Sequence, residues 1–311
     1  MKMKHVISLA EIGPRNVARL IDHSLALATG RSNCGRPLAG KIAGIYFRGS
    51  STRTRTAFTV AALKLGAQVI AYGPHDLQLV TGETLADTSR VLSGFLDVLV
   101  VRTNGSVEEM QVLASQDRMA VVNAMSDNEH PTQAIADLTT IKEALGRLDD
   151  IHILYLGEGN NSAAALALAV AMMPGMALTL ITPEGYGLPD SLLKTANSLG
   201  AKSHSIIEQH HRIDHLPTRV DVVYTTRWET MGVTKADPNW REAFTPYRVT
   251  QELMARVSKP AGTIFLHDLP AIRGFEVVDE VLDGSQSLAF RQAENKLNSA
   301  LAILTWCVSA D

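Results

Sequence analysis

The chain has 311 residues, of which 46% are hydrophobic, and a formal net charge of -3 at pH 7. This length and composition allow two hydrophobic cores, so we predict two domains of ordinary size. The charge balance gives no basic field over the whole protein, which argues against binding to nucleic acid or to an anionic membrane. Cys34 and Cys307 lie outside any metal-ligand spacing, so we expect neither a disulfide framework nor a zinc module.

The N-terminus and the longest apolar run predict neither export nor membrane insertion. The basic start reaches Ser8 and Glu11 before any apolar stretch of the length that a signal peptide needs, about 7–15 residues. The apolar run 163–173 ends at Pro174, short of the roughly 20 residues of a membrane-spanning helix. We therefore expect a buried helix at this run, and a cytoplasmic protein.

The first half of the chain alternates short apolar runs with amphipathic segments of helix length. This alternation predicts strands and helices in turn, around a parallel sheet. The predicted strands are Lys41–Phe47, Gln68–Tyr72, Val98–Val101 and Met119–Val122, and the predicted helices are 53–65, 84–95, 106–115 and 131–145.

The second half repeats the pattern, which predicts a second unit of the same α/β class. Its predicted strands are Ile151–Leu156, Ala177–Ile181, Val220–Tyr224 and Thr263–Leu266, and its predicted helices are 162–173, 189–199, 248–257 and 290–308. Turn-forming and charged residues at 146–150 mark the seam. We therefore predict two doubly wound parallel-sheet domains, residues 1–147 and residues 148–289.

Hydroxyl and guanidinium side chains crowd the start of the first predicted helix that follows a strand. The run is Arg48-Gly49-Ser50-Ser51-Thr52-Arg53-Thr54-Arg55-Thr56. Backbone N–H groups and the helix dipole favour an anion there, and arginine adds bidentate recognition of phosphate oxygens. The alternative is that Ser51 or Thr52 only caps the helix while the arginines are solvated. Capping needs one such residue, so we predict a phosphate site.

Three motifs resemble the ornithine/aspartate carbamoyltransferase family, in the order of that family. They are Ser51-Thr52-Arg53-Thr54-Arg55, Arg102-Thr103 after a strand, and His130-Pro131-Thr132-Gln133 at the start of a helix. The resemblance covers about residues 40–308. It implies an active site in the cleft between the two domains, a final helix at about 290–311 that packs back on the first domain, and a homotrimer or a multiple of trimers.

The resemblance also implies roles for individual residues. The equivalents of Arg102, His130 and Thr54 hold the carbamoyl oxygen, and the equivalent of Gln133 contacts the carbamoyl nitrogen. Attack on the carbamoyl carbon places negative charge on that oxygen, so donors aimed there catalyse the reaction. By itself, His130 would equally fit an ordinary histidine at a helix start. The predicted carbamoyl-phosphate-binding residues are Ser51, Thr52, Arg53, Thr54, Gln78, Arg102, His130, Gln133, Leu269 and Lys296.

Gln78 begins a segment, Gln78–Thr84, with two possible interpretations. Alone, it is a polar surface loop. It also resembles a mobile loop of the family that reaches into the active site of a neighbouring subunit, where the residue matching Gln78 contacts phosphate. The second interpretation predicts active sites shared between subunits.

The turn Gly157-Glu158-Gly159-Asn160-Asn161-Ser162 also has two interpretations. It is close to a dinucleotide-binding fingerprint, with Glu184 near the spacing expected for a ribose-binding acid, about 20 residues onward. Ser162, however, replaces the third glycine of that fingerprint. The family has a similar turn in which the residue matching Asn161 contacts the acceptor, and we prefer this interpretation.

The sequence departs from the ornithine-type pattern on the acceptor side. Asp268 stands where ornithine enzymes have cysteine, Lys296 where they commonly have arginine, and Thr226 and Thr230 where they have aspartate and serine. Thr226-Arg227 instead resembles the aspartate carbamoyltransferases, whose arginine binds a substrate carboxylate. Arg227 could equally be a solvated loop residue, and Asp268 either anchors the acceptor or acts as a general base. The predicted acceptor-binding residues are Asn161, Arg227, Thr230, Met231 and Asp268, and the predicted catalytic residues are Thr54, Arg102, His130 and Asp268.

Together these features predict a carbamoyltransferase that acts on carbamoyl phosphate and the amine of ornithine or a related amino acid, without a metal or organic cofactor. Two alternatives stay open: an NAD-dependent oxidoreductase and a non-catalytic binding protein with the same fold. The cluster of His204, His210, His211 and His215 fits no zinc spacing, so we predict a polar surface there.

Overall fold

The computed structural model describes residues 3–229 and 235–309. The chain forms two compact units, of which unit 1 comprises residues 1–139 and 294–311 and unit 2 comprises residues 140–293. Each unit contains one sheet whose strands are all parallel. The predicted α/β class with two parallel sheets is therefore confirmed. Within the described residues, no helix is long and apolar enough to cross a membrane.

Unit 1 has a four-stranded sheet with the strand order β2-β1-β3-β4. The order reverses at β1, because β2 lies on one side of β1 whereas β3 and β4 lie on the other. Its elements are α1 (Leu9–Ala28), β1 (Ile42–Phe47), α2 (Arg53–Lys64), β2 (Gln68–Tyr72), α3 (Leu85–Leu92), β3 (Val98–Arg102), α4 (Val107–Leu113), β4 (Ala120–Met125) and α5 (Pro131–Leu145).

Helix α1 is absent from the sequence-based prediction, and a kink explains why. Gly13 has φ 76° inside the helix, and Pro14 follows it. Proline disfavours the helical conformation in the preceding residue, so this pair interrupts the periodicity that identifies a helix. Apolar side chains on either side of the kink are nevertheless buried, among them Leu9, Leu20 and Ile21.

Unit 2 has a five-stranded sheet with the order β7-β6-β5-β8-β9, which reverses between β5 and β8. Strand β7 was not predicted, because its polar residues, such as Glu208 and Gln209, suit an edge strand and break the apolar run. The elements are β5 (His152–Leu156), α6 (Asn161–Ala171), β6 (Ala177–Ile181), α7 (Asp190–Ser203), β7 (Ile206–His210), β8 (Val222–Thr225), α8 (Trp240–Phe244), α9 (Gln251–Val257), β9 (Ile264–His267), α10 (Asp279–Leu282) and α11 (Ala289–Val308), whose residues from Glu294 onward belong to unit 1.

The strand register brings the motif-bearing segments of each unit to one edge. In unit 1, Phe47 pairs with Arg102, which in turn pairs with Met125. In unit 2, Thr225 at the end of β8 pairs with Leu156 and with His267. Ligands of open parallel sheets bind beyond the carboxyl ends of the strands, where the strand order reverses. Both edges are therefore candidate binding sites.

Glu129 links the segment before α5 to the start of α1. Its Oε1 accepts a hydrogen bond from the Leu9 backbone N–H at 2.8 Å, and the side chain is buried. Burial raises the pKa of Glu129 to about 7, because the ionised form loses its hydration.

We predict that Glu129→Gln removes a pH-dependent cost in stability. Between the ordinary pKa of 4.5 and the folded value of about 7, the folded state binds more protons than the unfolded state, so stability falls as pH rises. Glutamine keeps the acceptor oxygen but does not ionise. The variant should match wild type near pH 5 and exceed it by up to about 3 kcal/mol at pH 8. Urea denaturation of both proteins at the two pH values measures this, and parallel pH profiles would contradict it.

Candidate functional site

A narrow pocket in unit 1 gathers polar side chains from the segments after β1 and β4 and from α11. Apolar side chains from α2 form one wall. The pocket is lined by Thr54, Ala57, Phe58, His130, Thr132, Gln133, Lys296 and Ser299. Four of the predicted carbamoyl-phosphate-binding residues, Thr54, His130, Gln133 and Lys296, are in this set.

Arg102 joins this group from the end of β3. Its Nη1 donates a hydrogen bond to Thr54 Oγ1 at 3.3 Å, and both side chains are buried. Beside them, His130 Nδ1 lies 3.3 Å from Thr132 Oγ1. Burial lowers the pKa of His130 well below 6.5, and the positive charges of Lys296 and Arg102 lower it further. The imidazole is therefore neutral at neutral pH and offers a hydrogen bond without adding a charge.

The orientation of the Gln133 amide is fixed by Asp137, one helical turn further along α5. Gln133 Nε2 donates to Asp137 Oδ1 at 2.7 Å, and Asp137 is fully buried. A carboxylate only accepts hydrogen bonds, so the nitrogen of the amide must face it. Gln133 Oε1 is then left buried and has no hydrogen-bond partner.

A buried acceptor without a partner costs about 1–3 kcal/mol, so this oxygen suits a ligand with an N–H group. The other polar groups of the pocket supply donors and positive charge, from Arg102, His130 and Lys296. One acceptor facing several donors complements a small group that has both an NH₂ and a carbonyl oxygen.

The phosphate-binding run lies at the start of α2. Ser51 Oγ accepts a hydrogen bond from the Arg55 backbone N–H at 3.3 Å, whereas Thr52, at the N-cap position, makes no capping bond with its side chain. Helix α2 has no acidic residue in its first turn, so no carboxylate there offsets the positive end of its dipole. Capping therefore explains Ser51, but not Thr52 or the half-buried Arg53.

Gln78 and Leu269, which are also predicted to bind carbamoyl phosphate, are not among the residues that line the pocket. Gln78 is exposed in a short 3-10 helix, Gln78–Thr81, and its Oε1 accepts from Thr81 Oγ1 at 2.6 Å. Leu269 belongs to unit 2, where its backbone N–H donates to His267 Nδ1 at 2.8 Å. Unit 1 thus groups Thr54, Arg102, His130, Gln133 and Lys296. The roles of these residues, and those of Gln78 and Leu269, stay predictions.

Asp268 is the centre of a second polar group, at the carboxyl edge of the sheet in unit 2. Its Oδ2 accepts from Ser162 Oγ and its Oδ1 from Thr226 Oγ1, each at 2.8 Å. These three residues follow β5, β8 and β9, the strands at and next to the reversal of strand order. Hydrogen bonds accepted by both oxygens are the pattern of an ionised carboxylate.

A buried histidine holds the segment that begins with Asp268. His267 Nδ1 accepts the Leu269 N–H, so the ring proton lies on Nε2, which faces Glu276 Oε1 at 3.2 Å. His267 Nδ1 is also 3.6 Å from Asp268 Oδ1, but in this tautomer it presents a lone pair. The carboxylate of Asp268 is therefore positioned by His267 without being neutralised by it.

The other predicted acceptor-binding residues differ in their surroundings, and their roles stay predictions. Arg227 is half-buried, its Nη2 is 3.4 Å from Glu229 Oε2, and its Nε is buried without a hydrogen-bond partner. It is thus not an ordinary solvated loop residue. Asn161 is buried at the first position of α6. Thr230 and Met231 lie outside the described residues.

The glycines of the turn after β5 are packed against the chain itself. A Cβ at Gly159 would lie 2.4 Å from the Leu188 backbone nitrogen, and one at Gly157 would lie 3.0 Å from the Trp228 ring. In a dinucleotide site, the corresponding glycine lets the pyrophosphate approach the backbone. Here the protein's own atoms occupy that space, which favours the acceptor interpretation over NAD binding.

Two of the four clustered histidines stack on each other, and the other two have different surroundings. His210 and His215 stack at 5.2 Å, His211 Nδ1 contacts Thr182 Oγ1 at 3.1 Å, and His204 ends α7. Across residues 3–229 and 235–309, no group of three or more His, Cys, Asp or Glu side chains could hold a metal ion.

Sequence reasoning assigned no site role to Asp137, Ser162 or Thr226. The spacing of four residues between Gln133 and Asp137 on one helix could have revealed their contact. The contacts of Ser162 and Thr226 with Asp268 could not have been found in this way. They depend on which strands are neighbours in the sheet, and the order of elements along the chain does not specify this.

Comparison with known proteins agrees with this arrangement. A model of the aspartate/ornithine carbamoyltransferase carbamoyl-P binding domain matches residues 4–143, and a model of the Asp/Orn binding domain of that family matches residues 149–307. The ornithine carbamoyltransferase of Caldicellulosiruptor saccharolyticus is 38% identical over 309 residues, which is 98% of each chain. That of Symbiobacterium thermophilum is 41% identical over 269 residues, 86% of each chain.

A solved structure extends the similarity to the fold. The ornithine carbamoyltransferase from Pyrococcus furiosus has a TM-score of 0.90 and 33% identity, over 97% of this chain and 96% of that chain. The family models, the curated relatives and this solved structure agree with the parallel sheets and with the order of the motifs. The chain therefore belongs to the aspartate/ornithine carbamoyltransferase family and is a carbamoyltransferase.

Proposed function

We propose that the enzyme transfers the carbamoyl group of carbamoyl phosphate to the amine of ornithine or a related amino acid, with release of inorganic phosphate. The observation that best supports this is the unpaired Gln133 Oε1 beside the donors Arg102 and His130. A carbamoyl group has the NH₂ and the carbonyl oxygen that this pocket complements. The names of the relatives support ornithine as the first acceptor to test.

The phosphoryl group of the substrate binds at the start of α2. Ser51, Thr52 and Arg53 surround the positive end of this helix dipole, and a dianion is stabilised there by backbone N–H groups and by arginine. The carbamoyl carbon then lies toward the pocket, with its oxygen facing Thr54, Arg102 and His130. Lys296 adds a compact positive charge, but it lacks the planar guanidinium group with which an arginine could make two parallel hydrogen bonds.

The reaction needs no group from the enzyme to become covalently attached. The lone pair of a neutral amine forms the new C–N bond, the bond between the carbamoyl carbon and the phosphate oxygen breaks, and phosphate leaves with that electron pair. The attacking nitrogen then loses one proton to the departing phosphate, which leaves as hydrogen phosphate. Negative charge develops on the carbamoyl oxygen during attack, so fixed donors at this oxygen lower the barrier.

On the acceptor side, Asp268 serves as an anchor for an ammonium group. Both its oxygens already accept a hydroxyl hydrogen bond, from Ser162 and Thr226, and each retains a second lone pair for a cation. Arg227 pairs with the carboxylate of the acceptor. Its buried and unpaired Nε supports this role, while its Nη2 contact with Glu229 positions the guanidinium.

Asp268→Asn separates the anchor from a general base. As an anchor, Asp268 contributes charge to binding, so we predict that the variant raises the acceptor KM about 10- to 100-fold and leaves the shape of the pH profile of kcat unchanged. Steady-state kinetics at several pH values measure both quantities. A large fall in kcat with a reshaped pH profile and an unchanged KM would instead identify Asp268 as the base.

Product analysis tests the proposed function directly. With carbamoyl phosphate and ornithine, the enzyme should form a ureido product and phosphate in equal amounts. It should turn over 1,4-diaminobutane, the decarboxylated form of ornithine, far more slowly, and Arg227→Ala should shrink this preference at least tenfold. Arg212→Ala, an exposed arginine of the same unit that pairs with Asp214, is the control.

Three outcomes of the product analysis would contradict the proposal. No ureido product with any amino acid would favour a binding protein, whereas hydride transfer with NAD would favour an oxidoreductase. A preference that is the same in wild type and in Arg227→Ala would show that Arg227 does not bind the carboxylate.

We also propose that the enzyme is a trimer, or a multiple of trimers, with shared active sites. Gln78 is exposed and lies outside the pocket lining of its own chain, as expected of a residue that completes a neighbour's site. Exposed apolar side chains on the elements around edge strand β2 support an interface between subunits. They are Leu63, Ile70, Val80, Val91 and Phe95.

Complementation between variants tests these shared sites. Gln78→Ala and Arg53→Ala should each be inactive alone, because each lacks one half of the phosphate site. Mixed and reassembled, they should regain part of the wild-type activity, since some sites then combine an intact Gln78 with an intact Arg53. The control mixes Arg53→Ala with His130→Ala, since both changes affect the site of their own chain and no reassembled site is then expected to be intact. A fully active monomer in sedimentation would contradict the proposal.

A further inference from the structure

Lys235 has a buried ammonium group in a cage of aromatic rings. Its side chain is only 5% exposed, and its Nζ pairs with Glu158 Oε1. Three rings surround the same nitrogen, with centroid distances of 4.8 Å to Tyr186, 5.0 Å to Trp240 and 5.1 Å to Phe244. These distances are within the range of cation–π attraction.

The cage joins separate segments of unit 2. Glu158 lies in the turn after β5, close to Asn161, whereas Trp240 and Phe244 belong to α8. Tyr155 Oη donates to the Glu158 carbonyl oxygen at 2.8 Å and so holds the turn from the sheet side. The ammonium of Lys235 therefore connects the turn that contains Asn161 to the segment that leads into α8.

Glu229 is also held against α8, through Arg241. Glu229 Oε2 lies 3.7 Å from Arg241 Nη2, and the Arg241 guanidinium lies 4.6 Å from the Trp240 ring centroid. Glu229 and Lys235 thus both connect to α8, one through Arg241 and the other through the cage. In the sequence, the predicted acceptor-binding residues Thr230 and Met231 lie between Glu229 and Lys235.

Simple packing would not require a charge at this place. A methionine would fill the aromatic cage at similar volume, and replacement of a buried ion pair by apolar residues is often neutral or stabilising. The ion pair also restrains the position of the Lys235 ammonium, because this group must stay within contact distance of the Glu158 carboxylate. Removal of Lys235 alone would leave the Glu158 carboxylate without this partner and cost stability, so both residues must be changed together as well as singly to separate positioning from stability.

We propose that Lys235 is a positioning residue for the acceptor-binding residues of unit 2. Its ammonium, held by Glu158 and the aromatic cage, fixes helix α8 to the turn that contains Asn161. This inference rests on the proposed function, because it assumes that Asn161 binds the acceptor. The carbamoyl-phosphate pocket belongs to unit 1 and does not include the cage.

The test compares Lys235→Met, which keeps the packing, with Lys235→Arg, which keeps the charge. Lys235→Met should raise the acceptor KM at least tenfold, with the affinity for carbamoyl phosphate in calorimetry within twofold of wild type. Lys235→Arg should recover most of the loss. Glu158→Gln should act in the same direction, and the double variant of Lys235→Met and Glu158→Gln should be little worse than either single variant. If Lys235→Met does not fold, Glu158→Gln provides the same comparison.

The outcomes separate this inference from the proposed function. A folded Lys235→Met protein with the wild-type acceptor KM would overturn the inference alone. Equal losses of affinity for both substrates, not recovered by arginine, would indicate a general structural role and also overturn it. If wild type carries out no carbamoyl transfer with any acceptor, the proposed function fails, and the inference fails with it.

Discussion

Parallel strand pairing with a reversal of strand order is the constraint on which the polar group of each unit depends. In unit 1 it brings the segments after β1, β3 and β4 to one edge, and in unit 2 it does the same for the segments after β5, β8 and β9. Residues far apart in sequence meet there: Ser162, Thr226 and Asp268 are joined by two hydrogen bonds of 2.8 Å. The chemistry of each unit depends on which loops this order places side by side.

Within unit 1, buried charges set the hydrogen-bonding character of the pocket. Asp137 takes the nitrogen of the Gln133 amide and thereby leaves its oxygen for a ligand. Burial and two neighbouring cations keep His130 neutral by lowering its pKa. The pocket therefore combines positive charge, a neutral donor and an acceptor oxygen without a hydrogen-bond partner, which suits a carbamoyl group better than it suits a simple anion.

The sequence predicted the helices and strands that have a local apolar pattern. It did not predict the contacts that depend on which strands are neighbours in the sheet. Apolar alternation gave four strands of each sheet, and the hydroxyl-rich run located the start of α2. The Gly13-Pro14 kink concealed α1, and polar edge residues concealed β7. Thr226 was noted only as a departure from the ornithine-type pattern. Its bond to Asp268 requires the pairing of β8 with β9, and the cage around Lys235 likewise joins side chains that no sequence motif connects.

The central claim is that Gln133 Oε1 recognises the carbamoyl nitrogen, and one pair of ligands tests it most directly. Acetyl phosphate has the shape of carbamoyl phosphate but carries a methyl group in place of the NH₂. Calorimetry with wild type should show binding of carbamoyl phosphate at least tenfold tighter than binding of acetyl phosphate, since one hydrogen bond to a buried acceptor is worth about 1–3 kcal/mol. Gln133→Met should bind both ligands with similar affinity. Equal affinities in wild type would contradict the account.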